Sequence, residues 1–357
     1  MSIVRFKGLR RERVLASPQH AEGRFHNPTG RGARLKGKTL PLLGEFFFSD
    51  VERRPPIELP VLDPREAWAR PVDTGLRATW LGHSTVLLEI DGVRVLTDPV
   101  FGERASPVRV AGPRRFHRTP ATIDQLPPID LVVLSHDHYD HLCSQSVIAL
   151  GKKGVPIVTA LGVGARLEAM GVPAALVTEL DWGESHAVSD VIVHATPSQH
   201  FSGRGFGDRN RTLWASWVLQ GSRHKVFFSG DTGLTEQFRD IAAQHGPFDL
   251  TMLEIGAFHP SWGDIHLGPD NALAAHEMLG GGTLLPIHWG TFDLGLHAWN
   301  DPGDRIVRLA AERGARVLTP RLGAVFEPSQ LDGPTPWWQS LLVDEAPRSI
   351  RAPQPQG

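Results

Sequence analysis

The sequence predicts an α+β fold in which sheets form the interior and helices cover the outside. Short apolar runs bounded by Gly, Pro and Asp, which are typical of buried strands, recur in both halves of the chain. Segments of helical length and periodicity lie between many of these runs, and no repeat of fixed period is present. Strands and helices interspersed in this way bury their apolar faces as sheet layers flanked by helices.

The predicted strands begin at Thr79 and continue almost to the end of the chain. Two of them flank Asp91-Gly92, a dipeptide that strongly favours a two-residue hairpin turn. The full set of predicted strands is 79–81, 86–90, 93–96, 129–134, 156–159, 191–195, 214–219, 225–229, 250–254, 284–287, 317–319 and 324–326.

Helices are predicted between the later strands. One of them has well-defined ends, because Pro269 lies near its start and Gly280 lies just beyond its end. The predicted helices cover about 144–151, 162–170, 233–245, 269–279 and 302–313.

Composition divides the chain into three parts. Residues 1–70 are rich in Arg, Gly and Pro and predict an extension that packs on the main domain, with anchors at Phe25–Pro28 and Phe46–Phe48. Residues 71–328 hold the predicted strands and helices and form the main domain. Residues 329–357 predict a tail, for which the pair Trp337-Trp338 suggests one packed aromatic anchor.

The formal net charge is −2, so the overall charge does not imply binding to a polyelectrolyte across the whole surface. Charge is uneven, however, because residues 1–40 carry ten Lys and Arg against two Glu, a net +8 that leaves −10 for the remainder. This basic arm is either a contact for anionic lipid or nucleic acid, or, as is more common for such segments, a solvated extension. We expect no nucleic-acid partner.

Cys143 is the only cysteine, so an intrachain disulfide is excluded. It lacks the CxxC spacing of a zinc or redox site, and a small buried residue is the simpler interpretation. The sequence has neither a signal-peptide pattern nor an apolar run of membrane-spanning length. We therefore expect a cytoplasmic protein, with peripheral contact at the inner face of the membrane left open.

The segment Ser135–Leu142 concentrates histidine and aspartate directly after a predicted strand. An apolar core would leave so many polar groups without partners. Imidazole nitrogen and carboxylate oxygen are instead the donors that zinc, iron and manganese accept. His136 and His138, two residues apart on extended chain, can bind one metal ion. Asp140 and His141, beyond the turn, can bind a second.

Polar residues also follow three later predicted strands. His200, Asp231 and His288 each lie shortly after an apolar run, with Gly or Ser within two residues. Residues just past a strand lie on loops that a rigid scaffold holds in place. One such histidine is more often structural than a ligand, but three such residues in succession after the histidine cluster favour a metal centre.

The candidate ligands together resemble the dinuclear signature of the metallo-β-lactamase superfamily. They are His136, His138, Asp140, His141, His200, Asp231 and His288. The surrounding motifs resemble the family of N-acyl-phosphatidylethanolamine-hydrolysing phospholipase D and its bacterial relatives, from about Thr79 to Phe292, with a weaker echo at Phe25, Asn27 and Pro28. The motifs are Thr79–Thr85, Leu96–Pro99, Arg104–Pro107, Leu126–Asp130, Ser135–His141, Thr196–His200, Gly230–Gly233, Gly246–Leu250 and Ile287–Phe292.

The resemblance implies an αβ/βα sandwich in which two central mixed sheets are flanked by helices and the metals lie at one edge. It implies two divalent metal ions, with zinc as the default and iron or manganese as alternatives. His136, His138 and His200 would bind one ion, Asp140, His141 and His288 would bind the other, and Asp231 would bridge them.

Four further residues receive supporting roles. Asp98, in the family's first motif, would orient a ligand imidazole. His83 and Tyr139 lie in motif turns and would position their neighbours. His276, inside a predicted helix, would support the site or lie on the surface.

The resemblance implies a phosphodiesterase of phospholipase D type. Two metals can hold a bridging hydroxide that attacks phosphorus in line. Asp140 and His266 are the predicted catalytic residues, and His266, which matches the family's pocket histidine, would serve the leaving alkoxide. The substrate would be an N-acyl-phosphatidylethanolamine-like phospholipid or a smaller phosphodiester, and a homodimer fits the family.

Two alternatives stay open at this point. The same hydrolytic site can act on a carbonyl, as in a lactonase or a β-lactamase-like enzyme, because fold does not select the electrophile. The segment between Phe258 and His266 is also shorter than in the phospholipase and lacks its bulky, basic loop. The other alternative is a basic-armed membrane- or nucleic-acid-binding protein with a vestigial site, which the intact ligand set disfavours.

Overall fold

The structure, a computed structural model, describes residues 5–30, 51–108, 110–205, 207–262 and 264–343. Its strands are β1 His20–Ala21, β2 Arg24–Phe25, β3 Leu76–Gly82, β4 Thr85–Ile90, β5 Val93–Thr97, β6 Leu131–Leu134, β7 Ile157–Ala160, β8 Val177–Leu180, β9 Ser185–Val188, β10 Val191–Thr196, β11 Ser216–Gln220, β12 Lys225–Phe228, β13 Leu250–Glu254, β14 Thr283–Ile287, β15 Arg316–Val317 and β16 Val325–Phe326.

The α-helices are fewer than the strands and lie mainly between the parallel strands. They are α1 Gly8–Ala16, α2 Arg65–Trp68, α3 Ser144–Lys152, α4 Gly164–Ala169, α5 Gln237–His245, α6 Gly268–Met278, α7 Asp301–Arg313 and α8 Gln339–Val343.

Two seven-stranded mixed sheets form the centre of the molecule. The first sheet has the order β16-β3-β4-β5-β6-β7-β8, and the second has the order β15-β14-β13-β12-β11-β10-β9. The first sheet is antiparallel from β16 to β5 and parallel from β5 to β8. The second is antiparallel from β9 to β12 and parallel from β12 to β15. The predicted α+β class with two central mixed sheets is confirmed.

Helices join the parallel strands of both sheets. Such strands need a crossover connection, and α3 and α4 supply it in the first sheet, while α5, α6 and α7 supply it in the second. Strands β3, β4, β13 and β14 are buried along their whole length, as expected for strands covered on both faces. Their apolar side chains belong to one continuous core.

Several predicted elements have different bounds in the structure, and loop contacts account for two of these differences. The strand predicted at 214–219 begins at Ser216, since the Ala215 N–H donates to the Ser135 carbonyl at 3.1 Å. The helix predicted at 233–245 begins at Gln237, since the Gly233 N–H donates to the Gln199 carbonyl at 2.8 Å. The last predicted strands shrink to β15 and β16.

The N-terminal extension contacts the sandwich through both buried and charged residues. Phe25 is fully buried, and its N–H donates to the Asn210 carbonyl at 2.8 Å. Arg10 in α1 pairs with Glu168 and Glu179 of the main domain. The other predicted anchor, Phe46–Phe48, lies outside the described residues.

The described part of the C-terminal tail, which ends at residue 343, is held by its tryptophan pair. Trp338 is fully buried and lies edge-on to Trp289, with ring centroids 4.8 Å apart. The indole N–H of Trp338 donates to Asp304 at 2.9 Å. In the described part of the chain, no helix is both long and apolar enough to cross a membrane.

The candidate site residues meet because of strand direction. Within each sheet, β3, β5 and β6 run one way together, as do β10, β12, β13 and β14, so their carboxyl ends lie at one edge. The residues that follow these ends are His83, Asp98, the segment Ser135–Leu142, His200, Asp231 and His288.

Candidate metal centre

The loop that follows β6, Ser135–Leu142, will be called the metal loop. A buried arginine holds its backbone, because Nη1 of Arg204 donates to the carbonyls of Asp137 at 2.7 Å and Leu142 at 2.9 Å. The guanidinium also lies 3.9 Å from the centre of the Tyr139 ring, and the Tyr139 hydroxyl donates to the Arg204 carbonyl at 2.7 Å. Tyr139 and the metal-loop backbone thus share Arg204 as a partner.

Asp137 anchors the metal loop from the opposite side. Its carboxylate pairs with Arg166 at 3.0 Å and accepts the Gly203 N–H at 2.8 Å. Arg166 in turn pairs with Asp208. All three charged side chains are buried, so their mutual pairing is required, and it holds the Asp137 carboxylate in place.

A first group of donor atoms comes from His136, His138, His200 and Asp231. The Nδ1 atom of His138 lies 2.8 Å from Nε2 of His136 and 3.3 Å from Nε2 of His200. The Asp231 Oδ2 atom lies 3.8 Å and 3.6 Å from the same two Nε2 atoms. The structure thus brings together the residues assigned by resemblance to one metal.

A second group surrounds the Asp140 carboxylate. Its Oδ2 atom lies 3.5 Å from Nε2 of His141, 3.3 Å from Nε2 of His288 and 3.1 Å from Nε2 of His83. Asp231 also contacts this group, because its Oδ2 atom lies 3.1 Å from Nε2 of His141 and its Oδ1 atom lies 3.2 Å from Nε2 of His288. Asp231 is therefore shared between the two groups, which is the position of a bridging ligand.

His83 lies closer to the centre than the sequence analysis expects. Its Nε2 is one of the four donor atoms that converge in the second group. The 3.1 Å distance to Asp140 also fits a hydrogen bond from His83 that orients this carboxylate. Both arrangements depend on the turn between β3 and β4, where His83 has a left-handed φ of 53°.

The residues present fit divalent metal ions. Among the described residues, His141 Nε2 and Asp231 Oδ1 are buried and have no hydrogen-bond partner. Within each group the donor atoms all lie within 4.8 Å of one another. Unpartnered buried donors are costly, whereas imidazole nitrogens and carboxylate oxygens that converge on one point match a borderline metal such as zinc or iron.

Second hydrogen bonds fix the tautomers of three histidines. His136 Nδ1 lies 2.9 Å from the Ser135 hydroxyl, His141 Nδ1 lies 2.6 Å from Asp98, and His200 Nδ1 lies 2.9 Å from the Ile265 carbonyl. With a proton on each Nδ1, each Nε2 lone pair is free to bind a metal.

Asp98 occupies the supporting position expected from the resemblance. Besides His141, its carboxylate accepts the N–H of Ser135 at 2.7 Å and the Ser135 hydroxyl at 2.5 Å. It has a φ of 30° at the end of β5, a conformation that nonglycine residues rarely adopt. Gly230 permits the adjacent close approach, because a Cβ there would lie 2.5 Å from the Ser135 Cβ.

His276 lies elsewhere, and neither role predicted for it agrees with its position. It is 2% exposed, so it is not a surface residue. Its Nδ1 lies 2.8 Å from the hydroxyl of Thr251, near the start of β13, and it is not part of the converging donor groups. Helical periodicity on α6 turns this residue inward against the sheet rather than toward the strand ends.

His266 lies beside the centre and pairs with a carboxylate that the sequence analysis did not identify. Its Nδ1 is 2.6 Å from Glu254 Oε2 and 4.0 Å from Asp231 Oδ2. Glu254 is fully buried and also accepts the Thr232 N–H at 2.7 Å. A signal was available, because Glu254 is the charged last residue of a predicted strand, the position at which the other donor residues also occur.

The extension also contributes to the centre through Asn27. Its side-chain amide donates to the His200 carbonyl at 2.9 Å and its amide oxygen accepts the His200 N–H at 3.0 Å. The indole N–H of Trp214 donates to the same oxygen at 3.1 Å. Asn27 thus fixes the backbone of a donor residue far away in sequence.

The two donor groups differ in charge. Burial first, and then the neighbouring imidazoles, hold the pKa of His136 well below its usual range, and burial also lowers the pKa of His200. Burial alone would lower the pKa of His288, but the carboxylates of Asp231 and Asp140 outweigh it and raise that pKa to about 10. The same carboxylates raise the pKa of His141.

Comparison with known proteins identifies the family. The model of the beta-lactamase superfamily domain matches residues 93–289, more than half of the chain. The chain belongs to the metallo-β-lactamase superfamily. The resemblance seen in the sequence is therefore confirmed, and the protein is a member of a family of metal-dependent hydrolases.

Relatives within the superfamily cover most of the chain. It is 43% identical to an uncharacterized protein of Mycobacterium tuberculosis over 90% of this chain and 88% of that protein. It is 36% identical to N-acyl-phosphatidylethanolamine-hydrolyzing phospholipase D 1 of Caenorhabditis elegans over 72% of this chain and 77% of the enzyme. The structure of Igni18, a metallo hydrolase from Ignicoccus hospitalis, superposes with a TM-score of 0.54 at 22% identity, covering 71% of this chain and 98% of that one.

Replacing Asp98 with asparagine is expected to weaken metal binding while the fold is retained. Asparagine keeps the shape of the side chain but loses the charge that polarises His141, so affinity should fall about 10- to 100-fold. Competition against a chromophoric chelator measures it. Thr251→Val, which removes the hydrogen-bond partner of His276, is the matched control and should leave affinity unchanged. Equal affinity in wild type and Asp98→Asn would contradict the role of Asp98.

Metal loading is expected to release protons. The pKa values of His141 and His288 are raised, so near neutral pH both imidazoles carry a second proton in the metal-free protein and are charged. A ligand imidazole must give up the proton from its coordinating nitrogen before it can bind a metal. Metal affinity should therefore be higher at about pH 8 than at about pH 6. Calorimetric titration in buffers of different ionisation enthalpy measures the released protons, and heats that do not depend on the buffer would contradict this.

Proposed function

We propose that this protein is a dinuclear metal-dependent phosphodiesterase of phospholipase D type. The observation that carries the proposal is that the Asp231 carboxylate lies close to imidazoles of both donor groups. Asp231 and His266 also belong to a further set of converging donor atoms, together with Glu254 and His288. Two-metal sites of this kind suit in-line displacement at phosphorus. The identity to an N-acyl-phosphatidylethanolamine-hydrolyzing phospholipase D of Caenorhabditis elegans supports the same choice of substrate class.

Access to the centre is consistent with a substrate that approaches from one side. His138, Asp140 and His266 are partly exposed, whereas His136, His200 and Asp231 are buried. A phosphodiester could reach the exposed side while its attached groups remain outside. We propose an N-acyl-phosphatidylethanolamine-like phospholipid or a smaller phosphodiester as the substrate.

The metals and the protein would divide the chemistry. Divalent ions, zinc by default and iron or manganese as alternatives, would lower the pKa of water and neutralise charge on the phosphoryl oxygens when bound. The donor histidines bind and orient, since their tautomers are fixed by Ser135, Asp98 and Ile265. Asp140 and Asp231 supply the negative charge that balances the cations.

His266 is proposed as the proton donor to the leaving alkoxide. Its Nδ1–H donates to Glu254, which leaves Nε2 as the proton-bearing atom that can face the substrate. Burial opposes the charged imidazole, but the Glu254 carboxylate outweighs this and raises the pKa of His266. The protonated imidazole would then be available to give a proton to the departing oxygen.

The extension is proposed as a peripheral contact with anionic lipid. The structure limits which charges can take part, because Arg10 and Arg13 form ion pairs with the main domain. Arg5, Lys7 and Arg11 of the same segment are exposed and remain candidates.

Purified, metal-analysed protein is expected to hydrolyse phosphodiesters in a chelator-sensitive way. Bis-p-nitrophenyl phosphate, N-acyl-phosphatidylethanolamine, a homoserine lactone and a cephalosporin would be compared, each with and without chelator. Asp231→Asn should abolish turnover and lower metal content, because it removes the shared charged ligand. Cleavage of the lactone or cephalosporin alone would contradict the proposal and favour a carbonyl hydrolase.

His266→Ala is expected to reduce turnover about a hundredfold or more while bound metal is retained, as for loss of a general acid. Rates on bis-p-nitrophenyl phosphate and on a diester with a poorer leaving group would be measured, together with metal content. The loss should be larger for the poorer leaving group. His186→Ala, at an exposed histidine on β9, is the matched control. Loss of metal from His266→Ala would show that the assignment is wrong.

A further inference from the structure

A cavity of about 440 Å³ lies against the metal loop. Tyr139 and Leu142 of the loop, Arg204, Arg104 and the start of α3 contribute to its wall. None of the converging donor residues lines it. The cavity is therefore next to the proposed catalytic centre but distinct from it.

The wall carries two arginines, Arg104 and Arg204. In the described part of the chain, neither Arg104 nor Arg204 forms an ion pair with a carboxylate; Arg104 donates to the Gly112 carbonyl at 2.7 Å. The acidic residue on the wall, Glu103, already pairs with Arg114 at 2.6 Å. A cavity of this kind favours an anionic ligand, because the ligand replaces the missing counter-charge.

The start of α3 adds donors to the same wall. Cys143, Ser144 and Gln145 line the cavity, and α3 is a nine-residue helix that begins at Ser144. No side chain caps its N-terminus, and its first turn holds no acidic residue. The first N–H groups of a helix lack intrahelical partners and carry partial positive charge, so they bind oxyanions.

Arg204 provides an independent indication of a ligand. It is 6% exposed, and its Nε has no hydrogen-bond partner among the described residues. Its Nη1 is used by carbonyls of the metal loop. A buried guanidinium with an unpartnered N–H is costly unless an acceptor satisfies it.

We propose that this cavity binds an oxyanion of the phosphate or sulfate type. The helix start, Arg104 and Arg204 would bind the charged group, and the apolar side chains of Val108, Leu142 and Ile148 would contact an attached organic part. The inference does not depend on the proposed phosphodiesterase activity. Because Arg204 also holds the metal loop, a ligand here would contact the residue that fixes the backbone of the centre.

The test is calorimetric titration of metal-loaded protein with sulfate. Ser144→Asp places a carboxylate at the first residue of α3, which stabilises the helix but repels the anion, and sulfate affinity should fall about tenfold. Arg104→Gln should weaken binding similarly, since it removes a charge-assisted contact. Ser222→Asp, at an exposed turn, is the control for net charge and should bind as wild type does.

A metal-ligand variant separates the cavity from the metal centre. Sulfate binding should persist in His138→Ala, and crystals soaked in selenate should give an anomalous peak in the cavity. Loss of binding in His138→Ala but not in Ser144→Asp would overturn the proposal, as would the absence of measurable binding. Glycerol phosphate and a short-chain phosphatidate, titrated in parallel, distinguish a small phosphate from a lipid headgroup as the source of the anion.

Discussion

The centre depends on the electrostatic interaction of the buried Asp231 carboxylate with the imidazoles around it. It approaches imidazoles of both donor groups, at 3.6 Å from His200 and 3.1 Å from His141. Its charge favours protonated His141 and His288, whereas burial keeps His136 and His200 neutral. One buried anion thus makes adjacent histidines differ in charge, and the arrangement is balanced when cations occupy the positions of the protons.

Such a concentration of buried polar groups requires a rigid support. Both sheets provide it, because strands with a common direction deliver their following loops to one edge. Asp98, Ser135 and the Ile265 carbonyl then fix individual imidazoles, while Arg204 holds the backbone of the metal loop. The left-handed φ values of His83, Asp98 and His288 show that packing dictates conformations that these residues would not adopt by themselves.

The sequence was most informative where polarity and periodicity change together. Apolar runs followed at once by histidine or aspartate marked the strands and the donor residues, and the structure brings seven of them together as expected. Glu254 was missed because a single carboxylate at a strand end resembles an ordinary surface residue until the fold buries it. Strands β8 and β9 were missed because their partly exposed, mixed sequences lack a clear alternation. Asn27 was seen only as a weak echo, since a long-range contact leaves no local pattern.

The contact between Asn27 and His200 has a consequence for how the molecule is divided. The superfamily match covers 93–289 and leaves out the extension, yet an amide from the extension holds the backbone of a donor residue on both its N–H and its carbonyl. A domain boundary placed at the limits of the superfamily match would therefore separate Asn27 from the metal centre that it supports. Removing the segment around Asn27 would therefore leave both backbone hydrogen-bonding groups of His200 without these partners, even though that segment lies outside the matched region.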